Sequence, residues 1–464
     1  MSFLERLRAA FTRNRATLQM DEIQGLILRD RPEPYFGMHA MLHVDDAAGG
    51  RALVAELAKH VPSADDWSDD MTAWVGVGIS HAGLKALGLP DASLDSFPGP
   101  FRQGMAARAH DLRDVGENAP EHWEDAYKDN HCHIAMTIYA ETEERMAEVK
   151  AQAMAIFDAA SGVTLVGTHD FGTDEDAKNP FGYRDSISQP TIAGSGLDGH
   201  PGQERAIAPG EFILGEDSES GEPVAMPQPD VLGRNGSFIV MRKYHSRVGA
   251  FNDFLREHAK DDHAQDLLGA KMFGRWRSGA PLELSPEQDD PELGADPERN
   301  NDFTYADDAR GLICPHSAHA RRMNPRGSEL SIMTDENIHR VIRRSSTFGP
   351  KWTRDLTAAD DAAEDRGIFF IFISARAYDT IEFLQQEWVN RGNFIDLGTE
   401  RDPVVGLHQD AGVFTVPADP VRKRVNGVTT FNRLRGGEYM FMPSLPAMRW
   451  IGDAGWEKGE PGGS

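Results

Sequence analysis

Tyr35–Val44 (YFGMHAMLHV) alternates well enough, and is apolar enough, to predict a β-strand. Asp45 and Asp46 then open the run GGRALVAELAKHV, whose apolar residues fall at helical spacing. Trp74–Ile79 (WVGVGI) predicts a second strand, with a helix starting at Ser80 and His81. His131–Tyr139 (HCHIAMTIY) predicts a third strand, and Thr142–Ala160, rich in strong helix formers, a second long helix. A fourth strand begins over Val163–Val166. Strand, helix, strand followed by strand, helix, strand is the ferredoxin-like order.

From Asp170 to about Gly236 the composition shifts to Gly, Pro, Ser and acidic residues, which marks a connection between two halves. Periodicity resumes with a strand over Ser237–Tyr244 and a helix over Ala250–His258. Ser285–Asn301 is acidic, contains proline and predicts a solvated loop. Gly367–Ser374 (GIFFIFIS) is a continuous apolar run typical of a strand buried on both faces, and Thr380–Arg391 follows as a helix. The pattern predicts two similar α+β domains: after a leader over residues 1–20, an N-terminal domain of ferredoxin-like order over 21–200 and a second domain of mixed strands and helices over 201–464.

A chain of 464 residues with 40% hydrophobic content, 8 Trp and 23 Phe can build two sizeable cores. The formal charge of −26 and a pI near 5.0 disfavour nucleic acid and anionic membrane as partners, since both would be repelled. Two cysteines supply no disulfide framework, which suits a reducing compartment. The basic N-terminus lacks an apolar signal core, Arg13 and Arg15 are not adjacent, and no window has the roughly 18 apolar residues of a membrane span. A cytoplasmic protein is expected.

The stretch Gly311–Arg326 (GLICPHSAHARRMNPR) keeps neither helix nor strand periodicity. It combines Cys314, His316 and His319 with Arg321, Arg322 and Arg326. Imidazole binds metals and guanidinium suits carboxylate oxygens, so the loop suits a metal cofactor that carries acidic groups. On the residues alone, a packed loop histidine with arginines facing solvent is the favoured reading, because a metal site needs several converging groups. Asp185, in FGYRDSISQP, has a flanking cation that keeps a carboxylate ionised and ready to take a proton, or it is a turn aspartate bonding its own backbone. In HRVIRRSSTFGP, an extended backbone would point Arg343 away from Arg340 and Arg344, whereas a helix would gather all three on one surface face. His131, Cys132 and His133 with Cys314 and His316 raise a zinc site, against which stands the alternation that turns Cys132 away from both histidines.

Taken together, the segments EIQGL, FPGPFRQGMAA, FGYRDSISQP, NGSFIVMRK, AKMFGRWRSGAPL, CPHSAHARRMNPR, HRVIRRSSTFGP and IEFLQQEWVN resemble, in order and over nearly the whole chain, the longer members of the dye-decolourising peroxidases. That resemblance implies two tandem ferredoxin-like domains, with haem b (iron protoporphyrin IX) held mainly by the C-terminal one. It implies His319 as the proximal ligand, backed by a carboxylate that Asp402 in RDPVVG would supply. Asp185 would be the acid–base group that moves a proton between the oxygens of hydrogen peroxide, and Arg343 the distal cation. Ile368 and Phe370 would wall the pocket, and Arg321 and Arg326 would meet the propionates. Expected partners are hydrogen peroxide and small or bulky organic donors such as phenols and dyes, the bulky ones through a surface Tyr or Trp, with a homo-oligomer possible.

The chain departs from the family's GxxDG motif, which reads Gly182-Tyr-Arg-Asp-Ser, with Ser186 at the final glycine. Ser345 also replaces a polar residue that some members carry beside the distal arginine. Two alternatives follow: a non-enzymatic haem carrier or sensor disabled by Ser186, and a non-haem metal protein using Cys314, His316 and the HCH segment.

Overall fold

A computed structural model describes the chain except residues 1–16, 69–70, 129, 174–176, 198, 200–204, 328–335, 393–396 and 458–464. Most of the expected leader, with Arg13 and Arg15, lies outside the described residues. Strands β1 (Tyr35–Val44), β2 (Ala73–Ile79), β3 (Ile134–Ala140) and β4 (Val163–Thr173) form the first half. They pair in the order β4-β1-β3-β2, antiparallel throughout. The two crossover helices, Ala47–Leu57 and Glu143–Ala159, start at side-chain caps: Asp46 accepts from the Gly49 N–H and Thr142 from the Arg145 N–H.

The second half repeats the plan. It contains β5 (Ser237–Ser246), the short pieces β6 (Ile342–Arg343) and β7 (Ser346–Phe348), and β8 (Gly367–Ser374). A small hairpin, β9 (Gly412–Val416) with β10 (Lys423–Val428), precedes the last strand, β11 (Asn432–Met442). The order β11-β5-β8-β6 reproduces that of the first half, and β11 joins β2 through the pair Phe441–Ile79, so one sheet runs through both halves. Its ends meet: His169 on β4 stacks edge-on against Phe348 on β7 at 4.3 Å, and Tyr35 Oη accepts from the Thr347 N–H at 3.1 Å. This is an α+β barrel-type arrangement of two ferredoxin-like units.

Several expectations shift in detail. The third strand begins at Ile134, so His131–His133 lie in the approach to it; His133 Nδ1 accepts from the Val44 N–H and its ring stacks on His43 at 4.0 Å. Cys132 and Cys314 are both buried and free. Among the described residues no group of three or more His, Cys, Asp or Glu is placed to hold a metal ion, which removes the zinc alternative. The helix expected over 380–391 is α-helical at Ala377–Phe383 and widens to a π-helix at Leu384–Val389. On β8, Phe369 and Ile371 enter the core while Ile368 and Phe370 face an open space, so the strand is not sealed on both sides. No helix among the described residues is long and apolar enough to cross a membrane.

Candidate active site

The open space beside β8 is a cavity of about 280 Å³, set between β5, β8, the loop 179–188 and the short helix His319–Met323. Asp185, His319, Arg326, Arg343, Ile368 and Phe370 all line it. Asp402 lies directly behind His319, fully buried, and Arg321 does not reach the cavity.

His319 opens its helical turn. Its Nδ1–H donates to Asp402 Oδ2 at 2.8 Å, which fixes the tautomer and leaves the Nε2 lone pair for the cavity. The other oxygen, Asp402 Oδ1, accepts from the Val404 and Val405 N–H groups at 2.8 and 2.9 Å, so the carboxylate cannot swing. Burial alone would raise the Asp402 carboxyl; His319 above all, with Arg322 and the backbone donors, outweighs it and holds the group below the usual carboxylate range. Arg321 stands two residues on, about 200° round the helix from His319. Its guanidinium is buried on the far side against Asp308 at 3.0 Å, with the Cys314 carbonyl at 2.7 Å. A group so paired is not free to meet a ligand in the cavity, contrary to its expected role. Arg322 is likewise turned to the carbonyls of Trp388 and Glu400, and His316 Nε2 sits 3.1 Å from the Ala309 carbonyl.

On the opposite wall, the loop carrying Asp185 is held by many local bonds. Asn179 Oδ1 accepts from the Phe181 and Tyr183 N–H groups, and Tyr183 stacks on Phe273 at 3.8 Å. Gly182 has φ +81°, and a Cβ there would meet Trp352 at 2.9 Å, so only glycine fits. Arg343 Nη1 donates to Asp185 Oδ1 at 3.3 Å and Nη2 to the Ser188 carbonyl at 2.8 Å. Burial would raise the Asp185 carboxyl, but Arg343, Arg31, the Ser186 N–H and His319 together keep it below its ordinary value, so it is an anion. The segment bearing Arg343 is extended, and Arg344 points the other way, donating to the Leu26 carbonyl at 2.9 Å and pairing with Asp30 at 3.2 Å. Ser345, at the same wall, accepts from the Ile371 N–H at 3.2 Å.

Ser186 stands in the left-handed region, φ +64°, where the family's motif has glycine. For a side-chain-bearing residue that backbone costs about 1–2 kcal/mol. Its hydroxyl accepts from Arg31 Nη2 at 2.6 Å, and a hydrogen bond to a charged donor contributes about 1.5–3 kcal/mol, of the same size as the strain. Asp185 therefore keeps its place against Arg343.

Sequence reasoning missed Arg275, which also lines the cavity. It lies near Arg326, both cations rest on the Phe303 ring and both donate to Asn301 Oδ1. Burial and then the neighbouring Arg326 and Arg343 push the Arg275 guanidinium down to about 9, and it has no carboxylate partner among the described residues. A cationic end at Arg275 and Arg326, apolar walls of Ile368, Phe370, Leu384 and Val404, and an imidazole lone pair backed by a carboxylate fit an iron porphyrin with carboxylate side chains.

A family model described as the DyP dimeric alpha+beta barrel domain matches residues 51–166. Dye-decolorizing peroxidase msp1 of Mycetinis scorodonius is 31% identical over 477 residues, covering 96% of this chain and 90% of that protein. A dye-decolorizing peroxidase of Mycena epipterygia is 35% identical over 421 residues, covering 82% and 76%. A solved dye-decolorizing peroxidase complexed with 2,6-dimethoxyphenol superposes with a TM-score of 0.80 at 28% identity, over 94% of this chain and 100% of that one. A fungal DyP-type peroxidase from Auricularia auricula-judae gives a TM-score of 0.79 at 26% identity, with the same coverage.

Proposed function

The chain belongs to the dye-decolorizing peroxidase family, and on that premise we propose that it is a haem b peroxidase in which His319 holds the iron and Asp185 and Arg343 act on hydrogen peroxide from the opposite face. When bound, the haem supplies the electrons that break the O–O bond and recovers them singly from organic donors. The residues of this chain do the rest. Asp402 keeps the His319 lone pair directed into the cavity and makes the ring a stronger donor. Arg275 and Arg326 offer the cationic end to the porphyrin carboxylates, in the place first assigned to Arg321 and Arg326. Ile368 and Phe370 exclude water from the wall above.

Asp185, held as an anion, takes a proton from one peroxide oxygen and returns it to the other, which leaves as water. The Arg343 guanidinium, hydrogen-bonded to that carboxylate, stabilises the negative charge that builds on the leaving oxygen. Phenols and dyes are the proposed donors, by analogy with the relatives' names and the relative bound to a dimethoxyphenol. Most of the cavity wall comes from residues 244–432, with 179–188 the contribution from before residue 200, which supports the division at about 200 and a haem held mainly by the second domain. The carrier or sensor reading is not favoured: the relatives are peroxidases, and Ser186 leaves the Asp185–Arg343 bond in place.

The observation that carries the reading is a carboxylate-backed imidazole and a carboxylate–guanidinium pair on the walls of one cavity. The purified holoprotein should show a Soret band that His319→Ala removes. Asp185→Asn and Arg343→Leu should keep the haem and slow the stopped-flow reaction with peroxide by about 10²-fold or more. Normal haem in the His319 variant, or unchanged rates in the other two, would refute the assignment.

A further inference from the structure

Arg31 lies on the loop between the helix Gly25–Leu28 and β1, behind the cavity wall and outside the lining. Its guanidinium rests on the Tyr35 ring at 4.4 Å and donates through Nη2 to the Ser186 hydroxyl at 2.6 Å. Ser186 in turn lines the cavity, and its backbone N–H donates to Asp185 Oδ1 at 2.7 Å. The residue that departs from the family's motif thus touches Arg31 with its side chain and Asp185 with its backbone.

We propose that Arg31 and Ser186 form a positioning pair for Asp185: the guanidinium grips the hydroxyl, holds the left-handed turn at Ser186, and so aims that residue's N–H at the carboxylate while adding a second positive charge beside it. This inference rests on the acid–base reading of Asp185. Arg31 touches no reacting atom in this scheme; it works through Ser186 and through its field. A glycine at 186 would adopt φ +64° without assistance and would leave Arg31 with nothing to grip, so the two side chains make one device. The charges facing Asp185 agree with this. Arg343 approaches from β6, Arg31 from the loop before β1, His319 from across the cavity, and Glu33 from the same loop as Arg31.

The test is a double-mutant cycle in the holoprotein with Arg31→Met, Ser186→Gly and the pair, alongside Asp185→Asn. Two quantities are read across pH: the second-order rate constant with peroxide, and the affinity for cyanide, whose proton must be accepted by the distal base. Arg31→Met in the Ser186 background should lower the peroxide rate by about tenfold and move the acid limb of both profiles upward by roughly one pH unit, because removing a cation raises the carboxylate's pKa. In the Ser186→Gly background the same change should cost no more than about threefold, since the turn then needs no clamp. Equal losses in both backgrounds, or acid limbs that do not move, would overturn the pair. Should Arg31→Met not fold, Arg31→Lys keeps the charge and one donor; it must retain the wild-type acid limb, and a shifted limb would overturn the proposal. If Asp185→Asn slows the peroxide reaction but Arg31→Met does not, the positioning role alone fails. If Asp185→Asn changes nothing, the acid–base reading fails with it.

Discussion

The side chain of Gln189 pairs with the backbone of Arg343 as a neighbouring strand would: its Nε2–H donates to the Arg343 carbonyl at 2.9 Å, and its Oε1 accepts from the Arg343 N–H at 3.0 Å. Gln189 is buried and four residues beyond Asp185, so the loop that carries the carboxylate also sets the backbone of its guanidinium partner.

Replacing Gln189 by Leu leaves the N–H of Arg343 bare, at about 1–3 kcal/mol, and takes one of two donors from its carbonyl, which keeps Arg344 Nη1 at 3.0 Å. Gln189→Leu should therefore lower the thermal midpoint and slow the peroxide reaction while haem content stays normal. Gln189→Glu, which still accepts from the N–H but cannot donate to the carbonyl, should fall between. A variant with wild-type melting and rate would show that the clamp positions nothing.

Asp402→Asn preserves shape and the capacity to accept the Val404 and Val405 N–H groups, but replaces the charge that backs His319. Removal of such an outer partner typically costs 10- to 100-fold in metal affinity, so haem should pass to apomyoglobin about 10–100 times faster than from wild type. Transfer at the wild-type rate would separate Asp402 from the ligand.

Arg275 predicts a preference among porphyrins. Because its guanidinium has neighbouring cations and, among the described residues, carbonyl and amide partners only, the free diacid should bind more tightly than its dimethyl ester. Arg275→Met should erase most of that preference without touching the His319 bond, and competition titrations of the apoprotein with the two porphyrins measure it. An unchanged ratio would place the carboxylates elsewhere.

His169, at the seam of the barrel, is pushed down to about 4 by burial first and then by Lys243. The unfolded chain, with its ordinary imidazole near 6.5, binds the proton more readily, so stability falls as pH drops from about 6.5 to 4. The slope for one such group is at most about 1.4 kcal/mol per pH unit, less for the part of the ring that solvent reaches. His169→Gln should flatten the thermal midpoint over that window while leaving it nearly level above pH 7. A profile as steep as that of the wild type would assign the acid loss to other groups.

Much of the frame was legible because it is local. Period-two alternation located β1, helical spacing after Asp45 and Asp46 located the helix Ala47–Leu57, and strong helix formers located Glu143–Ala159, while the resemblance named Ile368 and Phe370, which share the cavity face of β8. What was not legible is what long-range contacts decide. Arg275 sits in a run quoted for the resemblance, yet nothing local distinguishes it from Arg277, which stacks on Trp352 instead. Arg321 lies in a stretch without periodicity, where nothing local says which way a side chain faces; one helical turn sends it to Asp308. Arg31 had a signal that went unused. A serine where the motif needs a left-handed backbone calls for a partner to its hydroxyl, and a charged residue far away in sequence supplies one.

Arg343 and Arg344 are neighbours whose guanidiniums leave opposite sides of one extended segment, the first into the cavity and the second to Leu26 and Asp30. Deleting a single residue upstream would therefore exchange their assignments rather than merely displace them, carrying the partner of Leu26 and Asp30 into the reaction chamber and the chamber's charge out toward them. This span should tolerate altered side chains far better than altered length, because its spacing, more than any one residue, ties the chemistry to the scaffold.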